Sequence, residues 1–167
     1  MSSDEPPSDE SLIERLNKSF ERGRNPSVAL LGGKIVSFDR EAKSMRMSFQ
    51  GVPALDNGNG QVMGGFLSAM MDVTVAQAAV VYSRLAQTVA TLEQKVSLLA
   101  PVRLKKGAAD PVLLTCDATA IKVGRSVAFY EISLHGPDGG LVARASQTTS
   151  LVNLPPRKPK NVTQAKL

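Results

Sequence analysis

A glycine pair and an aspartate are the two features of segment 57–83, NGNGQVMGGFLSAMMDVTVAQAAVVYS, that could carry chemistry. Gly64 and Gly65 stand where a loop becomes a predicted helix, so a ligand or another chain could approach the backbone closely there. The first N–H groups of a helix have no internal acceptor, and the helix dipole adds partial positive charge. Such N–H groups can polarise a carbonyl and hold an oxyanion. A tight loop-to-helix junction without a chemical role is the alternative.

Asp72 lies in the middle of the run from Gly64 to Tyr82, which is otherwise almost continuously apolar. An unpaired charge in a dry core costs several kcal/mol, so this carboxylate requires a polar partner or a function. Ser68, one helical turn earlier, is the candidate partner if the role of Asp72 is purely structural. Asp72 is about 12 Å along the helix from Gly64, so it can face a helix N-terminus only across a symmetric dimer.

The remaining elements alternate between helical and strand patterns. A first helix is predicted between a cap at Ser8 or Asp9 and a stop at Gly23, and one helical turn follows Pro26. The sequence then predicts a β-hairpin over 34–51, the apolar helix over about 64–83, and strands near 88–99, 110–122, 126–135 and 140–152. Because the long helix is apolar on all sides, an antiparallel sheet is expected to wrap around it.

Composition and charge narrow the class of protein. The 167 residues suit one domain, and 43% of them are apolar. The net charge of +5 suits a phosphorylated small ligand, whereas seven aromatic residues and no tryptophan disfavour nucleic acid. The acidic start resembles neither a signal nor a transit peptide, and polar residues interrupt every apolar run before it reaches the ~20 residues of a membrane span. We therefore expect a soluble, cytoplasmic protein that does not bind membranes.

The single cysteine and the single histidine exclude several kinds of site. Cys116 cannot form an internal disulfide, and its alternating surroundings predict a buried structural thiol on a strand. His135 ends a predicted strand before a turn, where an exposed side chain is expected. Without a second histidine, metal sites built on histidine are excluded, and no G-x-S-x-G elbow is present.

The predicted organisation has three parts. Residues 1–25 form an N-terminal tail and helix, with residues 1–8 disordered. Residues 26–153 form the folded domain. Residues 154–167 form a basic, mobile tail. Long strand arms leave edges that require pairing, which predicts an oligomer.

The spacing around the aspartate resembles that of hotdog-fold acyl-CoA thioesterases of the phenylacetate-pathway (PaaI) type. That family has an Asn, a His-Gly-Gly six residues later, and an Asp nine residues after the His. Asn57, the run Met63-Gly64-Gly65 and Asp72 keep both spacings. The resemblance continues through TVATLEQKVSLLAPVRLKKG and CDATAIKVGRSVAFYEISLHGPDGGLVARAS and covers about residues 26–152. It implies an α+β hotdog fold, in which an antiparallel β-sheet wraps around a long central helix.

The resemblance also implies a role for each matching residue. Asp72 would be the catalytic carboxylate, acting as nucleophile on the thioester carbonyl or as general base for water. Gly64, with Gly65, would donate N–H groups to the thioester oxygen, Asn57 would orient water or the thioester, and Thr91 would position water. These groups would come from both subunits of a homodimer or a dimer of dimers. No metal or redox cofactor is needed, because coenzyme A enters as part of the substrate.

Further positions are candidates for binding coenzyme A. By resemblance, Gly124, Arg125 and Ser126 would lie near its pantetheine and phosphates, and Met63 and Gly65 near the acyl thioester. Additional basic residues could meet the phosphates, with a solvated turn as the alternative for each cluster: Arg103, Lys105, Lys106, Lys122 and Arg144.

Met63 is the one departure from the family signature. It replaces a histidine and cannot make the hydrogen bonds of an imidazole. This motivates the alternative of a non-catalytic acyl-CoA-binding or sensing protein. Two further alternatives are weaker. A hotdog dehydratase or hydratase would pair a histidine with an acid, for which His135 is poorly placed, and a purely structural oligomer would not need Asp72.

Overall fold

The computed structural model describes residues 7–104 and 110–155, and its elements follow the predicted order. Residues 1–6, Lys105, Lys106 and the chain after Pro155 lie outside the described residues, so the predictions for them remain predictions. Each of the last four strands begins and ends within two residues of its predicted bounds. The helices are α1 (Asp9–Glu21), α2 (Pro26–Leu30) and α3 (Gly64–Tyr82), and the strands are β1 (Lys34–Asp39), β2 (Ser44–Gly51), β3 (Gln87–Leu98), β4 (Val112–Val123), β5 (Val127–His135) and β6 (Leu141–Asn153).

The two N-terminal helices begin at residues whose side chains cap them. The Ser8 hydroxyl accepts from the Ser11 N–H at 3.3 Å, which confirms the first of the two predicted caps. Asn25 caps α2 in the same way, with Pro26 in its first turn. Leu12 and Phe20, on the apolar side of α1, are buried. Both helices therefore start where sequence signals predicted.

The six strands form one antiparallel sheet in the order β1-β2-β4-β5-β6-β3, so β1 and β3 are its edges. The alternation predicted for β2 is observed, since Met45, Met47 and Phe49 are fully buried. The inner face of the sheet packs against α3, which contacts strands β2 to β6. This confirms the predicted α+β hotdog architecture of an antiparallel sheet around a long helix.

Helix α3 is apolar around its whole circumference. By length and composition alone it could cross a membrane, with a mean hydropathy of 1.4, but 56% of that window is buried inside the fold. The fully buried side chains Met70, Met71 and Val75 face the sheet. A helix of this composition is the core of the fold, and Asp72 is the only carboxylate that it carries.

An arginine from the loop after β1 binds the C-terminal end of α3. Arg40 donates to the carbonyl oxygens of Val81, at 3.0 Å, and Tyr82, at 2.8 Å. Its guanidinium also makes two hydrogen bonds to the carboxylate of Asp9, at 2.9 and 2.6 Å, which fastens α1 to the same point. The hydrogen bond from Arg40 lowers the pKa of Asp9 below its ordinary value. One side chain thus satisfies the helix end and anchors the N-terminal helix.

Candidate active site

Asp72 is a half-buried residue of α3, and its side chain is bound by residues of strands β3 and β6. The hydroxyl of Thr91 donates to its Oδ1 at 2.5 Å, and Nε2 of Gln147 donates to the same oxygen at 2.8 Å. The predicted partner Ser68 does not bind it, because its hydroxyl donates back to the Gly64 carbonyl at 3.1 Å. No residue in the described ranges donates to Oδ2. Among the described residues, the carboxylate is therefore held through one oxygen only.

Two glutamines extend this contact into the sheet. Nε2 of Gln147 also donates to the Thr91 hydroxyl at 2.9 Å, and its Oε1 accepts from Nε2 of Gln94 at 3.0 Å. Gln94 Nε2 donates in addition to the backbone carbonyl of Ser68 at 3.3 Å. Gln147 is only 2% exposed. We call Asp72, Thr91, Gln94 and Gln147 the carboxylate network.

A β-bulge in β3 allows two members of the network to face the same side. Thr91 and Gln94 are three residues apart, and in a regular strand residues with that separation point to opposite faces. The register of β3 against β6 shifts between Thr91 and Glu93, so Leu92 is the extra residue and is 61% exposed. Thr91 lies opposite Thr149 before the bulge, and Gln94 lies opposite Gln147 after it. The bulge re-aims the strand next to the site, as bulges commonly do.

The N-terminus of α3 carries free backbone donors. Met63 is the cap residue, and its side chain, 49% exposed, makes no capping hydrogen bond. The N–H groups of Gly64 and Gly65 have no acceptor among residues 7–104 and 110–155. A Cβ at position 64 would come within 2.5 Å of Leu98 Cδ1, so the glycine keeps the helix start close to β3. The predicted donor pair is thus present and open.

Asn57 lies in a glycine-rich loop that is braced by Asp56. Oδ1 of Asp56 accepts from the N–H groups of Gly58, Gly60 and Gln61 at 2.9 to 3.2 Å. The carboxamide oxygen of Asn57 accepts from the Asn59 N–H at 2.9 Å, which leaves its side-chain NH2 as a donor. Since the Met63 N–H binds the Leu55 carbonyl at 2.9 Å, this loop is joined to the start of α3.

The predicted site residues therefore form two groups in one chain. Asp72 and Thr91 meet near the middle of α3, whereas Asn57, Gly64 and Gly65 gather at or near its N-terminus. Eight residues, or about 12 Å of helix, separate Gly64 from Asp72. One chain does not bring these two groups together on a single reacting atom.

The basic candidates for coenzyme A differ in where they lie. Gly124, Arg125 and Ser126 form the exposed turn between β4 and β5, where Ser126 accepts from the Leu151 N–H at 2.8 Å. Arg103 pairs through its backbone with Gln61, beside the Asn57 loop.

Arg144 lies away from the carboxylate network. It lies on the outer face of the sheet and donates to Glu131 at 3.2 Å. The directly opposed residues Ser97 and Ser133 share that face, whereas Gln147 points inward to α3. Arg144 therefore does not contact the carboxylate network, and its predicted role as a phosphate ligand remains a prediction.

The cysteine and histidine take no part in the carboxylate network. Cys116 is fully buried on β4, and burial raises the pKa of its thiol to about 12, which confirms the prediction of an inert structural thiol. His135 ends β5 as predicted, but it is half-buried and its Nδ1 lies 3.8 Å from Asp117. Among the described residues, no group of three or more potential metal-ligating side chains occurs.

Sequence reasoning missed Gln94, Gln147 and Asp56. Asp56 directly precedes the Asn-Gly-Asn-Gly run, and that pattern could have indicated a carboxylate that braces a loop. No comparable local signal marks Gln94 or Gln147, because their meeting depends on the bulge at Leu92.

Comparisons with known proteins agree with this architecture. The model of a family described as the thioesterase superfamily matches residues 59–143, about half of the chain. A thioesterase from Haemophilus influenzae has a similar structure, with a TM-score of 0.71 at 23% identity over 85% of this chain and 91% of that one. A putative thioesterase from Ralstonia eutropha, described as phenylacetic acid degradation-related, is 29% identical over 80% of this chain and 97% of its own, with a TM-score of 0.65.

A protein from Streptococcus mutans bound to acetyl-CoA is also similar, with a TM-score of 0.62 at 17% identity over 72% of this chain and 89% of that one. No curated protein matches the chain significantly in sequence.

Proposed function

The chain belongs to the thioesterase superfamily, and we propose that it is an acyl-CoA thioesterase of the PaaI type with Asp72 as its catalytic carboxylate. The reaction would consume an acyl-CoA and water and release free coenzyme A and a carboxylic acid. The observation that carries the proposal is the asymmetric binding of Asp72. Thr91 and Gln147 both donate to Oδ1, and Oδ2 is open to a ligand.

Asp72 has two possible routes to the product. As a general base, Oδ2 would accept a proton from water while the water oxygen attacks the thioester carbon, and that proton would pass to the departing thiolate as the C–S bond breaks. As a nucleophile, Oδ2 would attack the carbon itself and expel the thiolate. Water would then hydrolyse the resulting acyl-aspartyl anhydride. In either route the Thr91 hydroxyl, whose hydrogen is bound to Oδ1, would position water by accepting a hydrogen bond from it.

The N-terminus of α3 would supply the second half of the site. The N–H groups of Gly64 and Gly65 are suited to the thioester oxygen, on which negative charge develops during attack. Asn57 would orient water or the thioester with its free NH2. Because these donors lie about 12 Å from Asp72 within one chain, we propose that they come from a second copy.

The edge strand β3 supports a homodimer, which could pair further into a dimer of dimers. It is an outer strand of the sheet and has exposed leucines at 92 and 98, which are 61% and 53% accessible. Unpaired edges with apolar side chains favour association with another strand. A symmetric partner at this edge would bring a second copy next to the strand that carries Thr91.

Coenzyme A would be held by exposed basic residues. Arg125, in the β4–β5 turn with Gly124 and Ser126, and Arg103, beside the Asn57 loop, carry charges that complement the phosphates. The similar protein from Streptococcus mutans bound to acetyl-CoA supports this class of ligand. No other cofactor is required by the proposed chemistry.

Met63 favours a second candidate function, a non-catalytic acyl-CoA-binding or sensing protein. Its thioether makes no capping hydrogen bond at the N-terminus of α3, where the resembled family has a histidine. Without that side chain, the fold could bind the thioester without turning it over.

The test is the release of free coenzyme A from a panel of short-chain, long-chain and aryl acyl-CoAs, with wild type beside Asp72→Asn. We expect turnover by the wild type and a kcat at least about a hundredfold lower in the variant. Calorimetric binding of the same panel separates the two candidate functions. A wild type that binds acyl-CoA but releases no coenzyme A would refute the thioesterase and favour the binding protein.

A further inference from the structure

The orientation of the Gln147 side chain can be derived from the acceptors around the carboxylate network. The Ser68 carbonyl, at one end, can only accept, so the group of Gln94 that lies 3.3 Å from it must be the NH2. The second hydrogen of that NH2 points to Gln147 at 3.0 Å, which must therefore present its oxygen. The NH2 of Gln147 is then directed to Asp72 and Thr91. The Ser68 carbonyl and the Asp72 carboxylate, which both can only accept, thus fix the two amides, which otherwise have two nearly equivalent orientations.

Each donor group of the carboxylate network has an acceptor. The Gln94 NH2 donates to Ser68 and Gln147, and Nε2 of Gln147 lies within hydrogen-bond distance of both Oδ1 of Asp72 and the Thr91 hydroxyl, which share it. The Thr91 hydroxyl accepts from Gln147 and donates to Oδ1 of Asp72. No side chain in the network can rotate without breaking a bond. Because Gln147 is 2% exposed, water cannot readily replace a lost partner.

We infer that Gln147 is a positioning residue, which Gln94 holds in one amide orientation and which commits Oδ1 of Asp72 to accept hydrogen bonds so that Oδ2 reacts. This inference rests on the proposed thioesterase function for its kinetic consequences. Gln147 is 2% exposed and so offers the substrate almost no surface to contact. It acts through Asp72 by fixing the rotation of the carboxylate and by stabilising its charge, and Gln94 acts one step further away.

The kinetic test replaces the donor at position 94 of the carboxylate network by an acceptor. In Gln94→Glu the new carboxylate offers only acceptors, so it competes with Asp72 for the NH2 of Gln147. Gln94→Met is the matched control, since it has a similar volume and removes the partner without adding a competing acceptor. We expect kcat to fall about ten- to a hundredfold in Gln147→Met and in Gln94→Glu, and less in Gln94→Met. KM for the acyl-CoA should stay within about threefold of wild type in all three variants, because Gln147 is buried and both glutamines act through Asp72.

Thr149→Val controls for a merely structural effect. Thr149 is fully buried on β6, two residues from Gln147, and donates to the Ala128 carbonyl at 3.3 Å without touching Asp72. This variant should lower the melting temperature and leave kcat unchanged. If Gln147→Met keeps kcat within twofold of wild type, or if Gln94→Glu loses no more than Gln94→Met, the inference is overturned.

A second measurement does not depend on turnover. In a ¹⁵N-labelled protein, the side-chain NH2 signals of Gln94 and Gln147 should exchange slowly with solvent, and both should shift in Asp72→Ala. The exposed Gln50 serves as the internal reference. If the wild type hydrolyses no acyl-CoA, the proposed function fails, but these signals still show whether Gln94 and Gln147 are hydrogen-bonded as inferred. Rapid exchange, or unchanged signals in Asp72→Ala, would overturn the inference.

Discussion

At its C-terminal end, α3 has the carbonyl groups of Val81 and Tyr82 bound by Arg40, whereas at its N-terminal end the N–H groups of Gly64 and Gly65 find no acceptor among the described residues. The first N–H groups and the last C=O groups of any helix have no partner within the helix. In α3, a side chain binds the terminal C=O groups, whereas the first two N–H groups remain without an acceptor in the described part of the chain. The closed end uses a charged side chain that also fastens α1. The C-terminus of α3 is thus closed by a side chain, whereas its N-terminus keeps the open donors that the proposed function requires.

The largest effect, a loss of kcat, is expected when a proline removes a backbone donor from the open N-terminus of α3. Gly64→Pro removes the first N–H of α3, and proline is well tolerated at this helical position. Met63 already has the extended backbone, with ψ of 135°, that a residue before proline requires. We expect kcat to fall about a hundred- to a thousandfold, because one donor to the developing oxyanion is lost. The free energy of unfolding should change by less than about 1 kcal/mol.

Gly64→Ala is the matched control for this substitution. It adds the same Cβ, which meets the far end of the Leu98 side chain at 2.5 Å, but it keeps the N–H. Leu98 is 53% exposed and can move aside. If the alanine variant loses as much activity as the proline variant, the N–H group is not what the reaction uses.

A smaller effect is expected from opening the closed end. Arg40→Met leaves two carbonyl groups of α3 and the Asp9 carboxylate without their donor. We expect the free energy of unfolding in urea to fall by about 2 kcal/mol, with kcat per folded enzyme unchanged. Arg46→Met is the control variant. Arg46 also donates two hydrogen bonds to an aspartate, Asp117, but on the exposed outer face of the sheet. Its loss should cost less than about 1 kcal/mol, and equal losses would contradict a special role for the helix end.

The smallest effect is expected in the pH dependence of stability. Arg40 lowers the pKa of Asp9 below its ordinary value of 3.8, so the ionised pair adds stability above that pH. As pH falls through the folded-state pKa, Asp9 becomes protonated and this contribution is lost. The melting temperature of wild type should therefore exceed that of Asp9→Asn by a constant margin at pH 5 to 7, and the margin should shrink below about pH 4. A margin that stays constant into acid would show that the charge of Asp9 is not involved.

The sequence predicted the parts of the site that depend on local spacing. Asn57, Gly64 and Asp72 follow one another within sixteen residues, so the resemblance to a known signature could be recognised directly. The contact of Thr91 with Asp72 also agrees with that resemblance. Helix and strand bounds were predictable because α3 is apolar throughout and β2 alternates.

What the sequence did not predict depends on pairing between distant segments. Gln147 is 75 residues from Asp72, and only the order of β5, β6 and β3 brings them together. Ser68 was the reasonable local partner, but its hydroxyl binds the backbone of the preceding turn instead. Arg40 was missed for the same reason, since its partners lie 31 to 42 residues away.

The bulge at Leu92 ties the carboxylate to the outer edge of the sheet. An extra residue can be placed at several points along a strand, and each placement presents different side chains to the core. The hydrogen bonds of Thr91 and Gln94 favour the placement in which both face α3. The carboxylate network therefore acts as a register lock for β3. The edge of β3 that faces away from β6 has no strand partner among the described residues. A second chain that pairs there would therefore meet the backbone N–H and C=O groups of β3 in one fixed register.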